Sequence, residues 1–257
     1  MSRRLLSRSA VALVAALVMT GCGDNKKTPS ASKVSGSITV FAAASLQEAF
    51  TKLGAQFEAA HPGTKVTFDF GASSALATQI TSGAPADVFA SASKKNMDAV
   101  IAAGGAASSA AFAKNVMEVA VPPSNPKHIG AVTDLAAAGV KVALCQPEVP
   151  CGVVAAKVFS NARISVKAVT LEPDVKATLA KVELGEVDAG MVYVTDVRAA
   201  GTKVQGVTIP TAVNASTSYP IAALSKAANA ATARAFVDFV LSSAGQAELA
   251  AAGFAQP

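Results

Sequence analysis

The sequence predicts an α/β protein built as two domains with a cleft between them. Three observations carry that expectation. Half of the chain is apolar, 51 %, and only 15 % is charged, a balance that fills a core and excludes a disordered chain. Short apolar runs of strand type alternate with stripes at helical spacing, the order of a parallel sheet covered by helices on both faces. About ten strand candidates in roughly 220 residues are too many for one compact sheet.

Taken in order, Ser37 to Ala44 is the first strand candidate, with Ile38, Val40 and Phe41. Leu46, Phe50, Leu53 and Phe57 follow at spacings of four, three and four, one face of a helix that Pro62-Gly63 ends. Val66, Phe68 and Phe70 alternate along Lys65 to Phe70, a strand. Ala75 to Ser82 is a short helix stopped by Gly83 and Pro85. Asp87 to Ala90 reads as a strand and Lys94 to Ala103 as a helix. Beyond Lys114 come strands at Val116 to Val121 and Val140 to Leu144, then a helix over Gly152 to Asn161. A strand over Ser165 to Leu171 precedes a helix over Val175 to Leu184, which shows Val175, Leu179 and Val182 on one face. Ala189 to Val194 is a buried strand and Pro220 to Leu224 another. Ala228 to Leu249 reads as two helical segments broken near Gly245. No internal repeat is visible.

The N-terminus carries an export pattern. Arg3, Arg4 and Arg8 form a basic region, and Ala10 to Met19 an apolar run. Ten helical residues span about 15 Å, half of a hydrocarbon core of about 30 Å, so the run reads as a signal peptide over residues 1–21 rather than an anchor. Met19-Thr20-Gly21-Cys22 resembles a bacterial lipobox, which implies lipidation of Cys22 and a body tethered to the outer face of the cytoplasmic membrane. Arg3-Arg4 is a weak match to twin-arginine export. The Lys-, Ser-, Thr- and Gly-rich stretch that completes residues 22–36 reads as a flexible tether reaching roughly 20 Å. The net charge of +5 partly belongs to this region: residues 1–21 hold three of the 22 basic residues and none of the 17 acidic ones. The rest is close to neutral, which gives no electrostatic reason to expect a nucleic-acid partner.

Outside the cytoplasm disulfides persist. Gln146 to Pro150 is long enough to turn back and let Cys145 pair with Cys151, worth about 2 kcal/mol by loop entropy. A free dithiol or half of a metal site is the rival reading. Several catalytic classes lack their motifs. There is no GxxxxGK[ST] or GxGxxG loop, no GxSxG elbow, no HExxH and no paired CxxC. Only two His exist, His61 and His128.

What remains are small polar residues at strand ends. Ser45, with Glu48 three residues on, reads as a capping box at a helix start. Gly71-Ala72-Ser73-Ser74, Pro150-Cys151-Gly152 and Pro173-Asp174-Val175 each open a helix after a strand. Each alone is a cap. Four together, at carboxyl ends of strands, outline the crevice where open α/β sheets bind ligands, with N–H groups and helix dipoles suited to an anion. Tyr193, one of only two Tyr, lies in an apolar strand, where a core role and a hydroxyl aimed into the cleft are both open.

These residues carry a resemblance. Val40-Phe41-Ala42-Ala43-Ala44-Ser45-Leu46, then Ser73-Ser74 with Leu76-Ala77, then Gly83-Ala84-Pro85-Ala86-Asp87-Val88-Phe89, and last Gly190-Met191-Val192-Tyr193 resemble the periplasmic molybdate-binding proteins of ABC transporters, in the same order. The resemblance implies the type II periplasmic-binding-protein fold, two α/β lobes joined by two hinge crossings. It implies an oxyanion, molybdate or tungstate, held without a cofactor by Ser45 and Ser73, by the backbone amides of Cys151 and Val175, and by the Tyr193 hydroxyl. The molybdenum would thus be held only through its oxygens. Ser74 is an alternative to Ser73 by one position, and Cys151 departs from the small residue common in relatives. The hinge crossings are expected near Lys114 to Glu118 and Ala215 to Pro220. That gives lobe one residues 37–116 and 217–257, and lobe two residues 117–216. The implied partners are a membrane permease and its ATPase; the chain is expected to act as a monomer and not as an enzyme. Two other classes stay open. One is a binding protein for sulfate or phosphate, with Asp174 or Asp196 as acceptor for a phosphate proton. The other is an exported hydrolase using Ser45 or Ser73, which needs a base beside the serine. A purely structural lipoprotein is a third.

Overall fold

In the computed structural model the described residues are 34–257, which form one compact unit. The expected signal segment, Cys22 and most of the expected tether lie outside them. Val34 to Gly36 are held on the body: Ser35 donates its N–H to Thr232 Oγ1 (3.1 Å), and the first strand begins at Gly36.

The first half alternates strand and helix. It runs β1 (Gly36–Ala43), α1 (Gln47–Ala60), β2 (Thr64–Gly71), α2 (Ser73–Thr81), β3 (Val88–Ala90) and α3 (Lys94–Ala102). The long β4 (Ala110–Val121) leads into the second half: β5 (Val142–Cys145), α4 (Pro150–Ala162), β6 (Ala168–Glu172), α5 (Val175–Glu183), β7 (Ala189–Tyr193), α6 (Val194–Ala200) and β8 (Gln205–Thr208). The chain then returns along β9 (Ser216–Ala223) to α7 (Ala230–Leu241) and α8 (Ser243–Ala252).

The strands form one hydrogen-bonded path, β2-β1-β3-β9-β4-β7-β5-β6, with β8 also on β4. The parallel sheet expected from the alternating order is found within each half, and the strands that join the halves depart from it. β1 is parallel to β2 and β3, and β5 is parallel to β6 and β7, but every pairing of β9 and of β4 is antiparallel. The physical reason is that β4 and β9 are not βαβ crossovers; they carry the chain out of one half and back into it. Residues 110–116 of β4 pair with β9, whereas residues 117–121 pair with β7 and β8. The expected strand at Val116 to Val121 is thus the far end of a strand twelve residues long. The expected helix break near Gly245 falls at Ser242, whose hydroxyl accepts the Gly245 N–H and caps α8.

Burial divides accordingly. In the first half, β1 alternates faces, as a period of two demands. Val40 and Ala42 pack with Phe50 and Phe57 of α1 and Phe236 of α7, while Phe41 packs with Leu76, Met97 and Val100 of α2 and α3. A second core joins Met117, Val119 and Val121 of β4 to Met191 of β7, Val154 and Val158 of α4, and Leu179 and Val182 of α5. Burying each such side chain contributes about 1.5–3 kcal/mol. No helix among the described residues is long and apolar enough to cross a membrane.

Candidate functional site

The strands of both halves end at one place. β1 ends into Ala44 and Ser45, β2 into Ala72 and Ser73, β5 leads to Pro150 and Cys151, β6 to Asp174 and Val175, and β7 ends at Tyr193. All of these residues line one pocket whose cavity volume is about 10 Å³. That lies below the roughly 300–1,000 Å³ of pockets for drug-sized ligands and suits a small ion. Ser45, Ser73, Cys151, Val175 and Tyr193 are therefore brought together, from sequence positions up to 148 apart. Ser73 is 1 % exposed and lines the pocket. Ser74 is not among the lining residues.

Ser45 does not form the expected capping box. It sits inside a short 3-10 turn, Ala44–Leu46, that precedes α1 and has no side-chain cap. Glu48 turns instead to Lys176, 2.8 Å away. The Ser45 hydroxyl meets the Tyr219 hydroxyl at 2.8 Å, both buried. Ser73 opens α2 itself, and its Oγ accepts the Ala92 N–H at 2.9 Å, leaving its own O–H to donate. Neither α2 nor α4 has a side-chain cap, so first-turn N–H groups there keep no side-chain acceptor from a cap. At α5 the Asp174 carboxylate accepts the Ala177 N–H at 2.9 Å, so the one acidic side chain in the lining is engaged by its own helix. The Cys145–Cys151 disulfide, Cα atoms 5.8 Å apart, ties the end of β5 to the start of α4. It replaces the dithiol and metal readings, and among the described residues no cluster of His, Cys, Asp and Glu could hold a metal.

Tyr193 combines both features its sequence left open, a buried ring and a place in the pocket lining. Its side chain is 1 % exposed and lines the pocket, and its hydroxyl has no hydrogen-bond partner among the described residues. A buried unpartnered hydroxyl costs about 1–3 kcal/mol, so its position calls for an acceptor. Burial drives its pKa well up, and Tyr219 and Asp196 push the same way. Tyr219 is also raised by burial, partly offset by Ser45. Both phenols stay protonated as donors. Asp196, a residue weighed as a proton acceptor, is not in the lining. Its Oδ2 accepts the Tyr193 N–H at 3.1 Å and its Oδ1 lies 3.1 Å from Lys176 Nζ. Burial raises its pKa, and Lys176 pulls against that. Neither His lines the pocket. His61 ends α1 against the Phe57 ring, and His128 sits in a loop at φ +51°. No His stands beside either pocket serine, as a serine hydrolase of the His-assisted kind requires. Tyr219 escaped the sequence reading, although it is the second of only two Tyr.

A two-lobed α/β body, crossed by two long antiparallel strands and holding a small pocket where strands of both halves end, is the type II fold of periplasmic solute-binding proteins. The chain belongs to the family of bacterial extracellular solute-binding proteins, whose model matches residues 38–255. It is 44 % identical over 252 residues to the molybdate-binding protein ModA of Mycobacterium tuberculosis H37Rv, covering 95 % of this chain and 97 % of that one. A solved Clostridium difficile structure, assigned as the substrate-binding domain of a molybdenum ABC transporter, aligns with TM-score 0.65 at 28 % identity, over 87 % of this chain and all of that one. The sulfate-binding protein SubI of M. tuberculosis aligns with TM-score 0.75 at 23 % identity, over 85 % and 86 % of the two chains. The backbone is therefore common to binders of different oxyanions, and the ligand must be argued from the pocket.

Proposed function

We propose that the chain binds molybdate, and tungstate comparably, outside the cytoplasmic membrane and hands it to an ABC transporter for uptake. The observation that carries this reading is the buried Tyr193 hydroxyl, without a partner among the described residues, in a pocket also lined by Ser45, Ser73 and the starts of α2, α4 and α5. Ser45, Ser73 and Tyr193 donate O–H groups and Cys151 and Val175 backbone N–H groups to the oxyanion. Hydrogen bonds to a charged group contribute about 1.5–3 kcal/mol each, so a handful, less the costs of association, supports micromolar to nanomolar binding. Among the described residues no Lys or Arg lines the pocket. Neutral donors of fixed position hold a dianion while the lobes are closed and release it when they part. The division of the cores supports lobes of residues 37–116 with 217–257 and of residues 117–216, with crossings in β4 and β9. A lipid on Cys22 would keep the protein beside its permease.

Isothermal titration with molybdate, tungstate, sulfate and phosphate tests the reading. Tight binding of the first two with little of the others is expected, because sulfate has the same charge on a smaller frame and would not reach all donors at once. Sulfate binding equal to molybdate would overturn the assignment while keeping the site.

A further inference from the structure

We infer that Glu48, Lys176 and Asp196 form a latch behind the pocket that holds the two halves closed and sets how fast the anion leaves; its kinetic part rests on the functional reading above. Lys176 Nζ lies 2.8 and 2.9 Å from the two carboxylate oxygens of Glu48 and 3.1 Å from Asp196 Oδ1. Glu48 stands on α1, which packs into the first core. Lys176 and Asp196 stand on α5 and α6 of the second half. The ammonium therefore bridges the halves. It is also tied to the pocket from three sides. Glu48 follows Ser45 by three residues, Lys176 follows Val175 directly, and Asp196 accepts the Tyr193 N–H. The three elements that present Ser45, Val175 and Tyr193 thus share one cation. If the halves part, Lys176 keeps the fully buried Asp196 and loses Glu48, whose side chain is 47 % exposed and readily rehydrated. The breakable contact is the one between the halves, as a latch requires.

The test is stopped-flow dissociation of molybdate from wild type, Glu48→Gln, Lys176→Met and the double variant, followed by tyrosine fluorescence, since the chain has no Trp. Glu48→Gln should raise the dissociation rate about two- to fivefold, the scale of a partly exposed charge pair, and change the association rate less than about twofold. The two variants should not add, since each breaks the same contact. Lys176→Met leaves Asp196 without its cation and can lose stability for that reason. Glu48→Gln leaves that inner pair intact, and its ligand-free melting temperature should stay near wild type. An unchanged dissociation rate in Glu48→Gln, or additive effects, would overturn the latch. If the wild type bound no molybdate, the functional reading would fail first. Small-angle scattering of the ligand-free proteins would then decide the latch: a larger radius of gyration for Glu48→Gln than for wild type supports it, and equal radii overturn it.

Discussion

Two residues that line the pocket stand differently toward the fold. Tyr193 presents a buried O–H with no partner among the described residues. Tyr193→Phe therefore strands no protein group and should leave the ligand-free melting temperature at or slightly above that of wild type. It should weaken molybdate binding about ten- to 150-fold, the worth of one hydrogen bond to a charged group. Ser73 is bonded already, its Oγ accepting the Ala92 N–H. Ser73→Ala should therefore lower stability, by about 1–3 kcal/mol for the abandoned buried N–H, and weaken binding as well. Calorimetric melting paired with titration checks both; a loss of stability in Tyr193→Phe would mean that its hydroxyl is not orphaned. Asp196 adds a pH dependence of definite sign. Its pKa in the fold is raised above 3.8 by burial. Its contribution to stability is therefore full below about pH 4 and lost as pH rises through the folded value. Across pH 4 to 7 the stability of wild type relative to Asp196→Asn should fall. A difference that stays flat or rises, by denaturant titration, would contradict it.

At the scale of elements, the starts of the helices matter more than their lengths. Gly152 follows Cys151 at the head of α4, and a Cβ there would strike the carbonyl oxygens of Gln146 and Cys145 within the disulfide loop. Backbone cannot give way as a side-chain tip can. Gly152→Ala should cost about 2 kcal/mol or more and displace the Cys151 N–H from the pocket, so thermal shift and affinity should fall together. Stability lost with affinity intact would place the Cys151 amide outside the site. The same logic explains what the sequence made legible. Small residues after apolar strands, Ser45, Ser73, Cys151 and Val175, mark strand-to-helix turns, and such turns gather at one end of an α/β sheet whatever the rest of the chain does. α6 was not legible because Val194 continues the apolar run of β7 without a turn residue. The switch is made by the Asp196 carboxylate accepting the Tyr193 N–H, and a buried Asp reads as an anomaly rather than a cap. β8 is four residues long with only Val207 buried, too short for a periodicity. Tyr219 was missed because its partner Ser45 is 174 residues away, and the polar stretch before it masks the start of β9.

Across the whole molecule, the unexpected feature is continuity. Two α/β halves joined by flexible crossings would unfold separately, yet β4 and β9 are hydrogen-bonded to each other along residues 110–116 and 216–221 and carry the sheet through both halves. Asn214 adds to this where the cores meet, donating to the Met117 carbonyl at 2.8 Å. Phe112, Ile221 and Tyr219 of the pair are buried in the first core, and Met117 and Val119, further along β4, are buried in the second. Neither half keeps a complete sheet if the other melts. Calorimetry should therefore show one transition, with the van't Hoff enthalpy matching the calorimetric one. An anion touching both halves must then stabilise them together. Molybdate at about 1,000 times its dissociation constant should add about 4 kcal/mol, moving that single transition up by roughly 8–16 °C in a body of this size. Two transitions, of which the anion shifts only one, would show that the sheet parts at β4 and β9 before either core is lost, and would confine the anion's contacts to one half.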